Sequence, residues 1–268
     1  MQQSAGDLLL TIPPRRPARK AEASTQRTHG LARVLSKRGL CSRSQAETLV
    51  RDGRVRVDGK LIRDPESRTH PAARIAIDDT AAGEVARRYL MLNKPRGLVT
   101  TANDERGRET VYALFADAGL PWIAPVGRLD KASEGLLLFS NDSEWAAAIS
   151  APESQLDKTY HVQIDRLPDP DLLARIQVGV RDGGELLAAK SATELRRGEK
   201  NAWLEIVLDE GRNRQIRRLL AALDVSVLRL VRVAIGSLRL GALGKGEWRV
   251  LDEDEVRALA RPTEQVRR

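Results

Sequence analysis

The chain has 268 residues, 41% of them hydrophobic and 31% charged, proportions of a folded globular protein long enough for two domains. It has no run of about eighteen apolar residues, which excludes a membrane-spanning helix. A net charge of +8 favours a polyanionic partner, while a single cysteine (Cys41) excludes an internal disulfide and suits the reducing cytoplasm.

Residues 1–28 mix Pro, Ser, Thr, Gln and Arg without an apolar period and read as a disordered basic arm. The short apolar run at 8–10 precedes Arg15, Arg16, Arg19 and Lys20, the reverse of the order in a signal peptide, so no secretion signal is expected. Leu31, Val34 and Leu35 then mark one face of a short helix ending at Gly39. Ser44 and Glu47 have capping-box spacing and predict a second helix running to Gly53. Residues 55–62 alternate around Asp58-Gly59, a hairpin signal, and a strand over 74–77 closes this unit. Across 31–80 there are eleven Lys or Arg against seven Asp or Glu, a net +4. Arg33, Lys37, Arg38, Arg43 and Arg51 fall in the two helices, a cluster suited to a phosphate backbone.

Residues 81–88 read as a linker. A strand over 89–94 ends at Pro95 and Gly97, and 110–115 reads as a short helix. Gly127-Arg128-Leu129-Asp130 forms a polar loop before an apolar run at 136–139 that has the look of a buried strand. A helix over 144–149 is capped by Asp142 or Ser143. Residues 158–165 alternate as a strand with Tyr160, Val162 and Ile164 on one face, 172–178 looks helical, and 185–208 holds several strands. After Gly211 comes a helix with Ile216, Leu219, Leu220 and Leu223 on its buried stripe and Arg214, Arg217 and Arg218 on another side. Strands at 227–233, 235–240 and 248–251 and a final helix from Asp252 complete an α+β chain with a mostly antiparallel sheet. His29, His70 and His161 are too scattered to join the one cysteine in a usual zinc or iron site, and no metal is expected.

Two resemblances follow from these stretches. The run from Leu31 to Asp64, two basic helices and then a hairpin, is similar to the S4-type RNA-binding domain. The stretches around Gly127-Arg128-Leu129-Asp130, Lys158-Thr159-Tyr160 and Gly211-Arg212-Asn213-Arg214-Gln215-Ile216-Arg217 together resemble the pseudouridine synthases, in the ribosomal small- and large-subunit branch that carries an S4-type domain in front. Departures at Phe139, Ser140 and Ser143 fall at packing or turn positions. The resemblance implies an arm at 1–28, an S4-type domain at 29–80, a linker at 81–88, a catalytic domain at 89–260 and a tail at 261–268. It implies isomerisation of one uridine in ribosomal RNA, without cofactor. Asp130 would be the catalytic carboxylate. Arg217 is expected against it, with Arg214 the alternative. Tyr160 would pack on the flipped base, Arg128 would fill the space that base vacates, and Ile216 would line the uracil pocket. Arg33, Lys37, Arg38, Arg43, Arg51, Arg128 and Arg214 are expected to bind RNA.

Asn141-Asp142 and the long basic front favour large-subunit (23S) over small-subunit (16S) RNA as the partner, and the resemblance implies a monomer. Two other readings compete. A non-catalytic RNA-binding assembly factor would be expected to lack Asp130, Tyr160 or Arg217, all of which are present. A hydrolase would use Asp130 and Glu134 as an acid–base pair, for which a four-residue spacing in a loop gives no geometric basis.

Overall fold

The computed structural model describes residues 28–102, 104–151 and 154–260. The tail over 261–268, and all of the expected arm but Thr28, lie outside them. The first unit comprises β1 (His29–Gly30), α1 (Leu31–Lys37), α2 (Arg43–Arg51), β2 (Val55–Val57), β3 (Lys60–Ile62), β4 (Arg68–Thr69), β5 (Ile75–Ile77) and β6 (Thr80–Ala81). The strands form a sheet of order β3-β2-β5-β6 beside a β1–β4 pair. Leu31, Val34 and Leu35 of α1 close with Ala46, Val50, Val55 and Ile75 into a small separate core. The β2–β3 turn places Asp58 at φ 49° and Gly59 at φ 84°. Two successive left-handed residues match the twist of a two-residue hairpin, which is why Asp-Gly is favoured there.

The capping box differs from the sequence expectation. Ser42, not Ser44, caps α2: its Oγ accepts from the Gln45 backbone N at 3.1 Å, and Gln45 Oε1 accepts from the Ser42 N at 2.9 Å. Ser42-x-x-Gln45 and Ser44-x-x-Glu47 both satisfy the pattern, and the earlier pair sits where the backbone is still extended. β6 also occupies the start of the expected linker, so the connecting stretch begins at Ala82.

The larger unit contains β7 (Tyr89–Lys94), a 3-10 helix (Val111–Phe115), β8 (Ala124–Val126), β9 (Glu134–Ser140), α3 (Ser143–Ser150), β10 (Lys158–Ile164), α4 (Pro170–Val178), β11 (Val180–Asp182), β12 (Glu185–Leu187), β13 (Ser191–Arg197), β14 (Ala202–Leu208), α5 (Gln215–Ala221), β15 (Val227–Ile235), β16 (Leu238–Arg239), β17 (Trp248–Val250) and α6 (Glu253–Ala260). The stretch expected as two strands after 227 is one long strand and a short return about Gly236. Among the described residues the main sheet runs β13-β14-β10-β15-β9-β7-β17, with β16 on β15 and β8 on β9. The fold is therefore α+β, and its main sheet is antiparallel except where β9 meets β15.

β9 is buried along its whole length because both of its faces are covered. Leu137 and Phe139 join the core that also takes Tyr160, Val162, Ile164 and the Ile216, Leu219, Leu220 stripe of α5. Leu136 and Leu138 face the opposite way, under Trp145 and Ile149 of α3 and Leu259 of α6. Gly135 lies where β9 and β15 cross at close range. At φ 101°, a Cβ there would meet the Arg232 carbonyl oxygen at 2.2 Å, so only glycine fits. That crossing sets the loop before β9 against β15 and the end of β10.

The units also touch. Arg88 N donates to Asn141 Oδ1 at 2.7 Å, Asn141 Nδ2 to Ala86 O at 3.0 Å, and Val85 N to Arg38 O at 3.2 Å. Lys37 pairs with Glu144 at 2.8 Å. Asp142 caps α3 and accepts from the Tyr89 hydroxyl at 2.8 Å. Asn141 and Asp142 thus pin the connecting stretch and start a helix, and these contacts carry no preference for either ribosomal subunit.

Candidate active site

The loop over 127–133 is held from several sides. Thr100 Oγ1 donates to Leu129 O at 2.7 Å, Gly97 N to Lys131 O at 2.8 Å, and Ser133 N to Asp130 O at 3.0 Å. Beneath it lies Lys94, fully buried at the end of β7. Its ammonium donates to Pro95 O (3.1 Å), Asp130 O (3.2 Å) and Ser133 O (3.0 Å). Burial pulls that ammonium down to about 8, against the opposing influence of Glu134 and Asp130. Sequence reasoning passed over Lys94. Lys-Pro at a strand end reads as a terminator, and the only signal was a lysine where the strand pattern calls for an apolar residue.

Asp130 projects into a cleft of about 480 Å³ whose lining includes Tyr160, Leu208, Ile216, Leu230 and Arg232. Its side chain is 35% exposed, and its ion-pair partner is Arg214, Nη1 to Oδ2 at 3.4 Å. Arg214 is left-handed (φ 49°, ψ 32°) at the start of α5, and this turns its side chain back towards the loop. Arg217, the residue expected against the carboxylate, instead donates to Ala132 O at 3.2 Å and to Val227 O at 3.4 Å. It braces the loop that carries Asp130 and makes no direct contact with the carboxylate. The correction has a simple cause: the left-handed turn brings Arg214 over Asp130, while Arg217, one turn later, points at the loop backbone. Burial lowers the Arg217 pKa first, then the charge of Arg214, while Asp130 opposes the shift. The third arginine diverges further, since Arg218 pairs with Asp182 at 2.5 Å and Glu185 at 2.8 Å on the β11–β12 hairpin.

Tyr160 and Ile216 both belong to the core and to the cleft wall, so their buried sides pack while another part faces the opening. Arg128 is exposed at the rim, between this cleft and a neighbouring polar one of about 400 Å³ that also takes in Arg106, Arg108 and Lys131. Lys158, from the Lys158-Thr159-Tyr160 stretch, and Arg232, which was not singled out in the sequence, line the main cleft as well.

Glu134 is unsuited to an acid–base pair with Asp130. Its carboxylate, 5% exposed, accepts from Arg229 at 2.7 and 2.9 Å and pairs with Lys245 at 2.9 Å. The Arg229 hydrogen bonds hold its pKa down at about 2, against the effect of burial. In register it lies beside Val231, whose strand position is opposite in facing to Arg232 and Tyr160. The hydrolase reading fails on this geometry.

In the first unit, Arg33 is exposed, and Arg43 and Arg51 are exposed in pairs with Glu47. Arg43 also reaches Glu66. Arg38 departs from the expected phosphate-binding role: its guanidinium donates to the carbonyls of Pro71, Ala73 and Ala82. It caps the end of α1 and ties that helix to the β5–β6 region. No group of acidic, histidine and cysteine side chains suited to hold a metal occurs among the described residues.

Comparison with known proteins follows this division of the chain. The sequence model described as RNA pseudouridylate synthase matches residues 88–222, and the one described as S4 domain matches 30–75. The ribosomal large subunit pseudouridine synthase B of Bacillus subtilis is 33% identical over 232 residues, covering 85% of this chain and 94% of that protein. An uncharacterized RNA pseudouridine synthase of Aquifex aeolicus is 35% identical over 230 residues, covering 85% of this chain and 92% of its own. A crystal structure of a pseudouridylate synthase aligns with a TM-score of 0.61 at 28% identity, over 86% of this chain and 99% of that one.

Proposed function

The chain belongs to the RNA pseudouridylate synthase family, an isomerase with an S4 domain in front, and from that premise we propose that it converts one uridine of large-subunit ribosomal RNA into pseudouridine. The observation that carries the reading is the convergence, in one cleft, of Asp130, Tyr160 and the Arg214–Arg217 turn from three separated stretches. The choice of large-subunit RNA rests on the Bacillus relative's name. The proposed form of action is a monomer in the cytoplasm, where such RNA would be met.

In this account residues 29–80 hold the RNA and residues 89–260 carry the chemistry. The target base leaves the stack, at a cost of a few kcal/mol, and lies on the Tyr160 ring, where stacking returns about 1–3 kcal/mol. Arg128 at the rim takes the vacated place. Asp130 acts at the ribose, with Arg214 paired to its carboxylate and Arg217 fixing the loop that aims it. The C1′–N1 bond breaks, the uracil turns between Tyr160 and Ile216, C1′ bonds to C5, and the C5 proton is replaced by one gained at N1. Atoms balance within the RNA.

Ribosomal RNA from cells lacking the protein tests this. Pseudouridines are mapped by carbodiimide-dependent primer-extension stops. The expected result is loss of one large-subunit stop, restored by the wild-type gene and not by Asp130→Ala. Persistence of every stop contradicts the reading, and restoration by Asp130→Ala leaves RNA binding as the better account.

A further inference from the structure

The cleft holds more positive charge than its carboxylates, Asp130, Asp209 and Glu210, account for. Arg232 of β15 is the cross-strand partner of Tyr160, lines the cleft, and is only 6% exposed. Its Nε donates to Leu136 O at 2.8 Å, but its buried Nη2 has no hydrogen-bond partner. A buried guanidinium N–H left unpaired is destabilising, and structures keep such groups where a ligand completes them. Lys158, two residues before Tyr160 on the same side of β10, lines the same cleft. Burial, and next the Arg232 charge, lower its ammonium below its ordinary pKa. Two cations sharing one wall repel each other until an electron-rich group comes between them. Of the nearby carboxylates, Glu210 accepts from Arg212 and Gln215, Asp157 pairs with Lys190 and Asp130 faces Arg214; Asp209, on the same cleft, offsets only part of the shift at Lys158 and makes no ion pair with either cation.

We propose that Arg232, assisted by Lys158, receives the carbonyl oxygens of the flipped uracil and stabilises the uracil anion released during the reaction. This rests on the pseudouridine synthase reading above. A base lying on Tyr160 between Ile216 and Leu230 meets apolar surface on its faces, and the register partner of Tyr160 meets its edge. When the C1′–N1 bond breaks, its electron pair departs to N1, whether Asp130 forms a bond to C1′ or takes the proton from C2′. The detached base then carries a full negative charge spread over N1, O2 and O4. Attack by C5 on C1′ removes that charge and returns Asp130 to its starting state, by release of the ester or return of the proton. The C5 proton is then lost and N1 gains one. A fixed cation in a site shielded from water serves this developing charge best, because it needs no reorganisation.

The test uses the full chain and unmodified large-subunit RNA transcribed in vitro with either uridine or 5-fluorouridine, whose fluorine makes the base a better leaving anion. The RNA is digested and the nucleosides are separated by chromatography, since uridine and pseudouridine have the same mass, and consumption of the substrate nucleoside is followed in single turnover. Arg232→Gln is expected to react about 100-fold more slowly on uridine RNA, with RNA affinity within about twofold of wild type, and to lose at least about fivefold less on 5-fluorouridine RNA. Lys158→Gln disturbs no contact between β9 and β15 and should show the same pattern at about tenfold. Wild-type rates in both variants, equal deficits on the two RNAs, or a loss of affinity that accounts for the slower reaction would each overturn the proposal. A wild-type protein that consumes neither RNA overturns the pseudouridine synthase reading itself.

Discussion

Arginines behave in opposite ways in the two parts of this molecule. On the first unit Arg43, Arg51, Arg54 and Arg56 are exposed and already matched with Glu47, Glu66, Asp78 and Asp79. Such pairs contribute about 0–1 kcal/mol each in water, so a phosphate can take the place of a carboxylate at little cost. In the cleft, Arg232 is buried and Arg217 half-buried, both are tied to backbone carbonyls, and each keeps one buried guanidinium nitrogen without a partner. Cations arranged so do not exchange partners freely; they select a ligand whose shape and charge complete them. The first arrangement suits binding to any suitable backbone, and the second suits chemistry on one nucleotide.

The contrast breaks most sharply at Arg217. Arg217→Met should slow single-turnover isomerisation about 100-fold while RNA affinity changes little, because the loop carrying Asp130 loses its brace. Equal losses of rate and affinity would place Arg217 with the phosphate-binding group instead. Lys94→Met should lower turnover by about 10-fold or more, again through loop position. Its effect on melting should be small, since relief of a buried charge offsets the lost bonds. A large drop in thermal stability with normal turnover of the folded fraction would refute that division.

Acid stability offers a third test. The pKa of Glu134 is depressed in the folded chain from about 4.5 to about 2, so its contribution is present above 4.5 and disappears as pH falls from there towards 2. Glu134→Gln should therefore flatten the acid limb of the stability curve, followed by urea melts at stepped pH; an unchanged limb would discount the Arg229–Lys245 lock. Smallest of all, Arg43→Ala should weaken RNA binding by about twofold to fivefold and reduce its salt slope by about one. Arg38→Met, by contrast, should destabilise the first unit by about 1–3 kcal/mol, because three carbonyls lose their donor. Urea melts of the two variants side by side separate the roles.

Much of this was legible in the sequence, for physical reasons that differ by element. Tyr160, Val162 and Ile164 alternate, so the strand and its buried face followed directly. The α5 stripe was equally clear. The arginines of the same stretch were not separable by spacing, because one left-handed residue at 214 sends Arg214 and Arg217 in different directions. Arg232 stayed hidden because residues 227–235 alternate weakly, and only the β10 register shows that it shares a side with Tyr160. Lys94 acts through carbonyls of residues far along the chain, which no local pattern reveals.

The central claim is that Asp130, held in this cleft, drives the exchange of N1 for C5 at a uridine. Large-subunit RNA transcribed with uridine tritiated at C5 reads that step directly, since reattachment through C5 releases the label to water. The account predicts stoichiometric release by the wild-type chain, and from Asp130→Asn a rate at least about 1,000-fold lower with RNA binding retained. Tritium release by Asp130→Asn at the wild-type rate would contradict it.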